Sequence, residues 1–342
     1  MGTECTIRVF YPRGAGRIVL HTGLDWDAEV EATRVEDDGT RWEFTVSTDQ
    51  PYFYFKPVLR DADGALHWAV GSNYLAVATA AESRDVYPHF FDGQSGDITH
   101  PLDVPGLGGH RVRVYQPPGY DENTLKRYPV LYMHDGSNLF FPEEAFTGQT
   151  WEIGQTMDLL DSMNLIDKVI VVGVYAGDRM TEYTESGYAD HGRFFVEALK
   201  PFIDGGFRTL GDPGSTVVMG SSLGGVVSFY LAWQYPQTFG GAACLSSTFG
   251  GQLPDGRAVD DLFARVRAED KRPVRFYLDS GWPDDNFEPT QSMRDLLAQR
   301  GYQMGKDLCY YAFPGAQHDE RSWATRCHLP FQFFWDKTPS FT

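Results

Sequence analysis

From His110 onward, short runs of apolar residues alternate with amphipathic stretches, and this alternation limits the fold of the 342-residue chain more than any other feature. The apolar runs lie at 130–133, 169–172, 217–219, 242–245, 274–278 and 308–311. Stretches with helical spacing cover 151–163, 193–203, 223–235, 290–300 and 321–335, and Pro236 stops the third. A strand that is apolar on both faces and lies between helices belongs to a mostly parallel sheet covered on both sides. An α/β architecture is therefore expected over residues 110–342.

The first 95 residues follow a different pattern. Alternating segments at 7–11, 17–20, 42–46 and 52–56 read as strands, and Asp37-Asp38-Gly39 and Asp61-Ala62-Asp63-Gly64 read as the turns between them. Helical periodicity is missing from this part, which predicts a small immunoglobulin-like β-sandwich. The Gly- and Pro-rich stretch at 96–109 is expected to be the linker.

Composition narrows the function classes. A formal net charge of -18 repels phosphate backbones, and no basic run offsets it, so a nucleic-acid partner is not expected. No window approaches 18 consecutive apolar residues, so no membrane span is expected. Cys5, Cys244, Cys309 and Cys327 form no CxxC pair, which gives no support to a zinc or thiol-exchange site, and Cys244 and Cys309 read as buried free thiols. The opening residues Met1-Gly2-Thr3-Glu4-Cys5 carry no basic stretch followed by an apolar one, and a cytoplasmic location is expected.

Candidate chemistry centres on Gly220-Ser221-Ser222-Leu223-Gly224, a GxSxG pattern. An apolar strand runs into it and a helical stretch leaves it, and strand, sharp turn and helix together make a nucleophile elbow that exposes a seryl oxygen at the edge of a sheet. The ordinary alternative is a glycine turn with a helix-capping serine. A serine hydroxyl needs a base to become nucleophilic at neutral pH. In such folds the chain order is serine, acid, histidine, so the loop after 308–311 should supply the histidine, and it contains His318. His328 falls within the following helical stretch. The acid belongs after 274–278, where Asp284 is the first choice, Asp285 the second and Asp279 the third. Two backbone amides should face the developing oxyanion: that of Leu223, and that of Ser137 or Gly136 after 130–133.

Several segments together carry a resemblance. Leu131-Tyr132-Met133-His134-Asp135-Gly136-Ser137-Asn138-Leu139-Phe140, Val171-Val172-Gly173-Val174 with Arg179 and Glu182-Tyr183-Thr184, the elbow itself, and Gly315-Ala316-Gln317-His318-Asp319-Glu320 with Trp323 resemble the esterase family that includes enterochelin, feruloyl and acetyl xylan esterases, S-formylglutathione hydrolase and the mycolyltransferases. The resemblance spans about 110–337. It implies an α/β-hydrolase fold with Ser222 as nucleophile, His318 as base and an acid near Asp284. The amino-terminal region is similar to starch- and glycogen-binding modules at 54–56 and 67–73, which makes Trp26, Trp42 and Trp68 candidate sugar platforms against an ordinary core role. Enterochelin-type esterases also carry an amino-terminal sandwich, which there helps shape the active site.

The expected activity is a serine carboxylesterase that forms an acyl-enzyme on a small ester, either a decorated carbohydrate or a siderophore-like compound, with no metal and no organic cofactor. The competing readings are an acyltransferase using the same residues and a non-catalytic carbohydrate-binding protein. The intact elbow and histidine loop weigh against the last.

Overall fold

The computed structural model describes residues 2–12, 14, 16–78, 83–106 and 109–337. The amino-terminal strands are β1 (Thr3–Phe10), β2 (Gly16–Thr22), β3 (Asp25–Val30), β4 (Arg34–Val35), β5 (Arg41–Thr48), β6 (Tyr52–Asp61), β7 (Leu66–Trp68), β8 (Tyr74–Val77) and β9 (Arg84–Val86). Among the described residues they form two sheets, ordered β4-β5-β1-β9 and β3-β2-β6-β7, with β8 also paired to β6. Ile7 and Val9 of β1, Ile18 and Leu20 of β2, Phe44 of β5 and Phe53 and Phe55 of β6 share one core, so the period-2 pattern predicted from sequence buries one face of each sheet.

Trp42 belongs to this core with 7% of its surface exposed, which corrects its place among the sugar-platform candidates, because a buried ring offers no face to a pyranose. Trp26 and Trp68, at 39% and 44%, remain exposed on the second sheet. Trp42→Ala is therefore expected to cost about 3–5 kcal/mol, and Trp68→Ala less than about 1 kcal/mol. Denaturant titration of both variants checks this ordering.

The larger sheet comprises β10 (Asp97–Ile98), β11 (Leu102–Asp103), β12 (Arg111–Gln116), β13 (Val130–Met133), β14 (Ile170–Val174), β15 (Thr216–Ser221), β16 (Gly241–Leu245), β17 (Arg275–Trp282) and β18 (Leu308–Pro314). Its order is β10-β12-β14-β13-β15-β16-β17-β18, with β11 on β12. Pairing is parallel from β14 through β18, and β12 is antiparallel to β14. Helices α1 (Ile153–Ser162), α2 (Arg179–Glu182), α3 (Tyr188–Phe194), α4 (Lys200–Gly206), α5 (Leu223–Gln234), α6 (Leu262–Ala268), α7 (Phe287–Gln299), α8 (Glu320–Ala324) and α9 (His328–Trp335) accompany it. The two faces of the sheet carry separate apolar cores, and Leu223 through Trp233 of α5 are all buried, as a helix apolar on every side requires.

Three departures from the sequence reading matter here. β10 and β11, in the stretch expected to be a linker, pair with β12. The expected helix 193–203 is α3 and α4 joined by a π-helical turn at Phe195–Leu199. β17 continues to Trp282, because Ser280, Gly281 and Trp282 keep pairing with Ala312, Phe313 and Pro314. Cys244 is buried as expected, whereas Cys309 is half-buried.

The sandwich docks where the parallel strands begin. The Ser72 amide donates to the carbonyl of Ser162, the last residue of α1, at 2.9 Å, and Asn164 Nδ2, just past the helix, donates to the Ser72 carbonyl at 2.8 Å. Asn123, upstream of β13, donates through Nδ2 to the carbonyls of Phe10 and Pro88 at 2.9 and 2.8 Å. A cavity of about 680 Å³ lies at this junction, lined by residues that include Arg84, Lys126, Asp167, Lys168 and Trp335. The opposite edge, where the strands end, carries the chemistry-bearing loops.

Candidate active site

Ser222 lies between β15 and α5 with φ 55° and ψ -122°, a conformation an L-residue adopts only when its surroundings enforce it. The enforcement comes from close packing. A Cβ on Gly220 would stand 2.6 Å from the Gly224 carbonyl carbon, and one on Gly225 would stand 2.0 Å from Ser247 Oγ. Ser222 precedes α5 without capping it through its side chain, so the hydroxyl is not used as a helix cap. Among the described residues its hydrogen-bond partner is Thr248 Oγ1 at 3.3 Å, and not His318. Thr248 in turn accepts from Asn286 Nδ2 at 3.2 Å, and that amide also donates to the Ser246 carbonyl at 2.7 Å.

His318 follows β18, and its Nδ1 lies 2.6 Å from Asp285 Oδ1. The carboxylate that reaches it is thus Asp285, the second choice from sequence, whereas Asp284, the first choice, is exposed to solvent. The extension of β17 explains the difference. With the strand running to Trp282 the loop is short, and the backbone N–H of Gly281 turns Asp285 inward by donating to Oδ2 at 2.7 Å. Gly281 also makes the room, since a Cβ there would lie 2.8 Å from Asp285 Cβ and 2.2 Å from the Ala316 carbonyl oxygen. Asp279, the third choice, is held within β17 beneath the site, where it accepts from Tyr277 Oη and Arg326 Nε at 2.9 and 3.0 Å.

Asp285 is 1% exposed. Burial pushes its carboxyl up, but hydrogen bonds from His318, Ser246 and the Gly281 amide, with the charge of His318, outweigh that and hold it below the usual carboxylate range. It is therefore ionised at neutral pH. Beneath it, Arg326 NH2 donates to Ser246 Oγ at 2.7 Å and approaches Asp285 Oδ2 at 3.3 Å. Asp279 is pushed up to about 6, chiefly by burial and against the pull of Arg326. The His318 ring meets Trp323 edge-on at 5.1 Å, and Asp319 caps α8 directly after it by accepting from the Ser322 amide at 2.7 Å.

On the other side of Ser222, His134 and Asp135 continue from β13 into a 3-10 turn at Gly136–Asn138. A Cβ on Gly136 would lie 2.5 Å from the Gly173 carbonyl carbon, so this loop is pressed onto β14. Asp135, at φ 56°, receives Arg179 through two hydrogen bonds of 2.9 and 3.1 Å. The amides of Leu223 and Ser137 stand in the first turns of α5 and of the 3-10 turn, where helical bonding leaves N–H groups unused. Thr248, Asn286, Ser246 and Arg326 are the site residues that sequence reasoning missed. For Thr248 the available signal was its place after β16, at the same sheet edge as the other loops.

A mostly parallel sheet with a strained Ser222 at its carboxyl edge and an Asp285–His318 pair two loops away defines the α/β-hydrolase fold. The chain matches the Esterase family, described as "Putative esterase", over residues 108–328, and it belongs to that family. It is 25% identical over 161 residues to the uncharacterized protein YbbA of Bacillus subtilis, covering 42% of this chain and 58% of that one. With the uncharacterized protein YjcH of the same organism it shares 32% over 132 residues, or 37% and 51% of the two lengths. The chain thus spans about half the length of the curated relatives it matches. Among solved structures it is similar in fold to a ferulic acid esterase (TM-score 0.58, 19% identity, 70% of this chain and 98% of that one). The enterobactin esterase FES of Shigella flexneri matches along nearly the whole chain (TM-score 0.56, 13% identity, 97% and 93%). At these identities the likeness shows the fold alone. No helix among the described residues is long and apolar enough to cross a membrane.

Proposed function

We propose that the protein is a serine carboxylesterase that works through an acyl-enzyme. The observation that carries this reading is the 2.6 Å hydrogen bond that His318 Nδ1 donates to buried Asp285 at the sheet edge that also presents strained Ser222. In this reading Asp285 accepts from Nδ1–H, which leaves the His318 Nε2 lone pair free to take the seryl proton as Ser222 attacks the carbonyl carbon. The ester C–O bond then breaks, the alcohol leaves with the proton from His318, and water repeats the sequence on the acyl-enzyme. The amides of Leu223 and Ser137 hold the oxyanion at each tetrahedral stage. The hydrogen bond to Thr248 parks the hydroxyl, and substrate binding is expected to turn it toward His318, as catalytic contacts commonly tighten only in the complex.

Exposed Phe146 on the loop after β13, Met180 in α2 after β14 and Trp282 at the end of β17 favour an ester bearing an apolar or aromatic group. The sandwich docks at the other edge of the sheet, so these loops, rather than the sandwich, set specificity. An acyl-enzyme predicts that the protein, quenched with acid during turnover of a slowly deacylating p-nitrophenyl ester, carries one acyl group per chain by intact mass, released together with about one equivalent of p-nitrophenol. Turnover of that ester with no acyl group ever found on the protein would contradict it.

A second role, glycan attachment, is favoured by one observation. Trp26, Trp68 and Tyr54 are all exposed on the same sheet, and the Trp68 ring lies 4.7 Å from that of His21. An exposed flat ring suits the apolar face of a sugar. Trp68→Ala should abolish retention on an insoluble α-glucan while leaving the fold intact, and unchanged retention would sink this role.

A further inference from the structure

Three residues far apart in the sequence meet next to the 134–138 loop. His110 immediately precedes β12, Glu182 ends α2 and His191 lies in α3, and one ligand atom from each comes within 4.8 Å of the others. His110 Nε2 is 3.3 Å from Glu182 Oε1, and His191 Nδ1 is 3.7 Å from Glu182 Oε2. The two imidazoles are buried, and among the described residues neither ring nitrogen of His191 has a hydrogen-bond partner. A fully buried imidazole with neither nitrogen used is uncommon and asks for an occupant. His110 is already oriented, because its Nδ1 donates to the Tyr175 carbonyl at 3.1 Å, which turns the Nε2 lone pair toward Glu182. The space beside the carboxylate is kept clear by Gly177, where a Cβ would stand 2.4 Å from Glu182 Oε1.

His110 Nε2 and His191 Nδ1 each approach a different oxygen of the Glu182 carboxylate, at 3.3 and 3.7 Å, and the three ligand atoms lie within 4.8 Å of one another. A tetrahedral ion with bonds of about 2.0 Å sets its ligand atoms about 3.3 Å apart, a spacing that a small tightening of this cluster would reach. We propose that His110, Glu182 and His191 form a buried site for one divalent transition-metal ion of the zinc class, with a structural role. Two neutral imidazoles and one carboxylate leave a net positive charge on the bound ion and a fourth position for water or for His134. Among the described residues the Nε2 of His134 is also without a hydrogen-bond partner, and its ring lies 5.4 Å from that of His191. The ion would tie the start of β12 to α2 and α3. Because α2 also carries Arg179, the clamp on Asp135, the site would stiffen the loop that offers the Ser137 amide.

The test uses the full chain, stripped with a chelator, loaded with ZnCl2 and desalted before elemental analysis. One zinc per chain is expected, with a rise in thermal midpoint. Glu182→Gln and His191→Gln, each checked for folding by circular dichroism, are expected to weaken zinc binding at least 10-fold and to remove the thermal shift, while Asp190→Asn behaves as the wild type. Cobalt loading of the wild type, which needs no variant, should give the intense visible bands of a four-coordinate ion. No zinc retained by the folded wild type, equal retention by both site variants, or the weak spectrum of six-coordinate cobalt would each overturn the proposal.

Discussion

Ser222→Ala is expected to lower kcat on a p-nitrophenyl acyl ester by about 10³-fold or more while leaving thermal stability nearly unchanged. The size follows from the role, because without the hydroxyl no acyl-enzyme forms and only the oxyanion amides and binding remain to speed attack by water. The mild effect on stability follows from the site. Ser222 does not cap α5 through its side chain, and the one hydrogen bond its hydroxyl makes among the described residues, at 3.3 Å to Thr248, is long. Alanine meets the same φ of 55° with the same Cβ, so the backbone strain is unchanged. Equal rates in wild type and variant would mean that the elbow is not used on simple esters.

Asp285→Asn is expected to lower kcat/KM by about 10²- to 10⁴-fold, and Asp284→Asn to change it by less than about twofold. An amide at 285 would present an N–H to His318 Nδ1 in place of an acceptor, which stabilises the wrong tautomer and cannot balance an imidazolium. The same change weakens the acceptor for Ser246 and Arg326, so some loss of stability accompanies it. A thermal melt separates the two effects, since a catalytic loss persists well below the melting transition. A larger effect from Asp284→Asn than from Asp285→Asn would contradict the hydrogen bonding described for the loop.

The parts legible in the sequence were those with a short-range signature. Apolar runs bounded by helices gave the parallel sheet. Ser222 stood out because strand, glycines and helix are contiguous, and His318 because only one histidine occupies the loop after β18. The choice between Asp284 and Asp285 depended on where β17 stops, and pairing with Ala312, Phe313 and Pro314 sets that end from a different part of the chain. Trp42 and Trp68 look alike in sequence, and sheet position alone buries one ring and exposes the other. Thr248, Asn286 and Arg326 reach the site from three separate segments with no shared spacing. The same holds for His110, Glu182 and His191, and the cysteine pattern used to judge metal binding could not register a site built from histidine and glutamate.

The central claim is that Ser222 is the nucleophile, and the most direct measurement is to treat the protein with a fluorophosphonate, an acylating-site mimic that adds covalently to activated serines, and to map the adduct by peptide mass spectrometry. The account predicts one adduct per chain, on Ser222, formed much more slowly in Asp285→Asn. Labelling of a different residue, or no labelling of a folded protein that still hydrolyses the p-nitrophenyl ester, would contradict it.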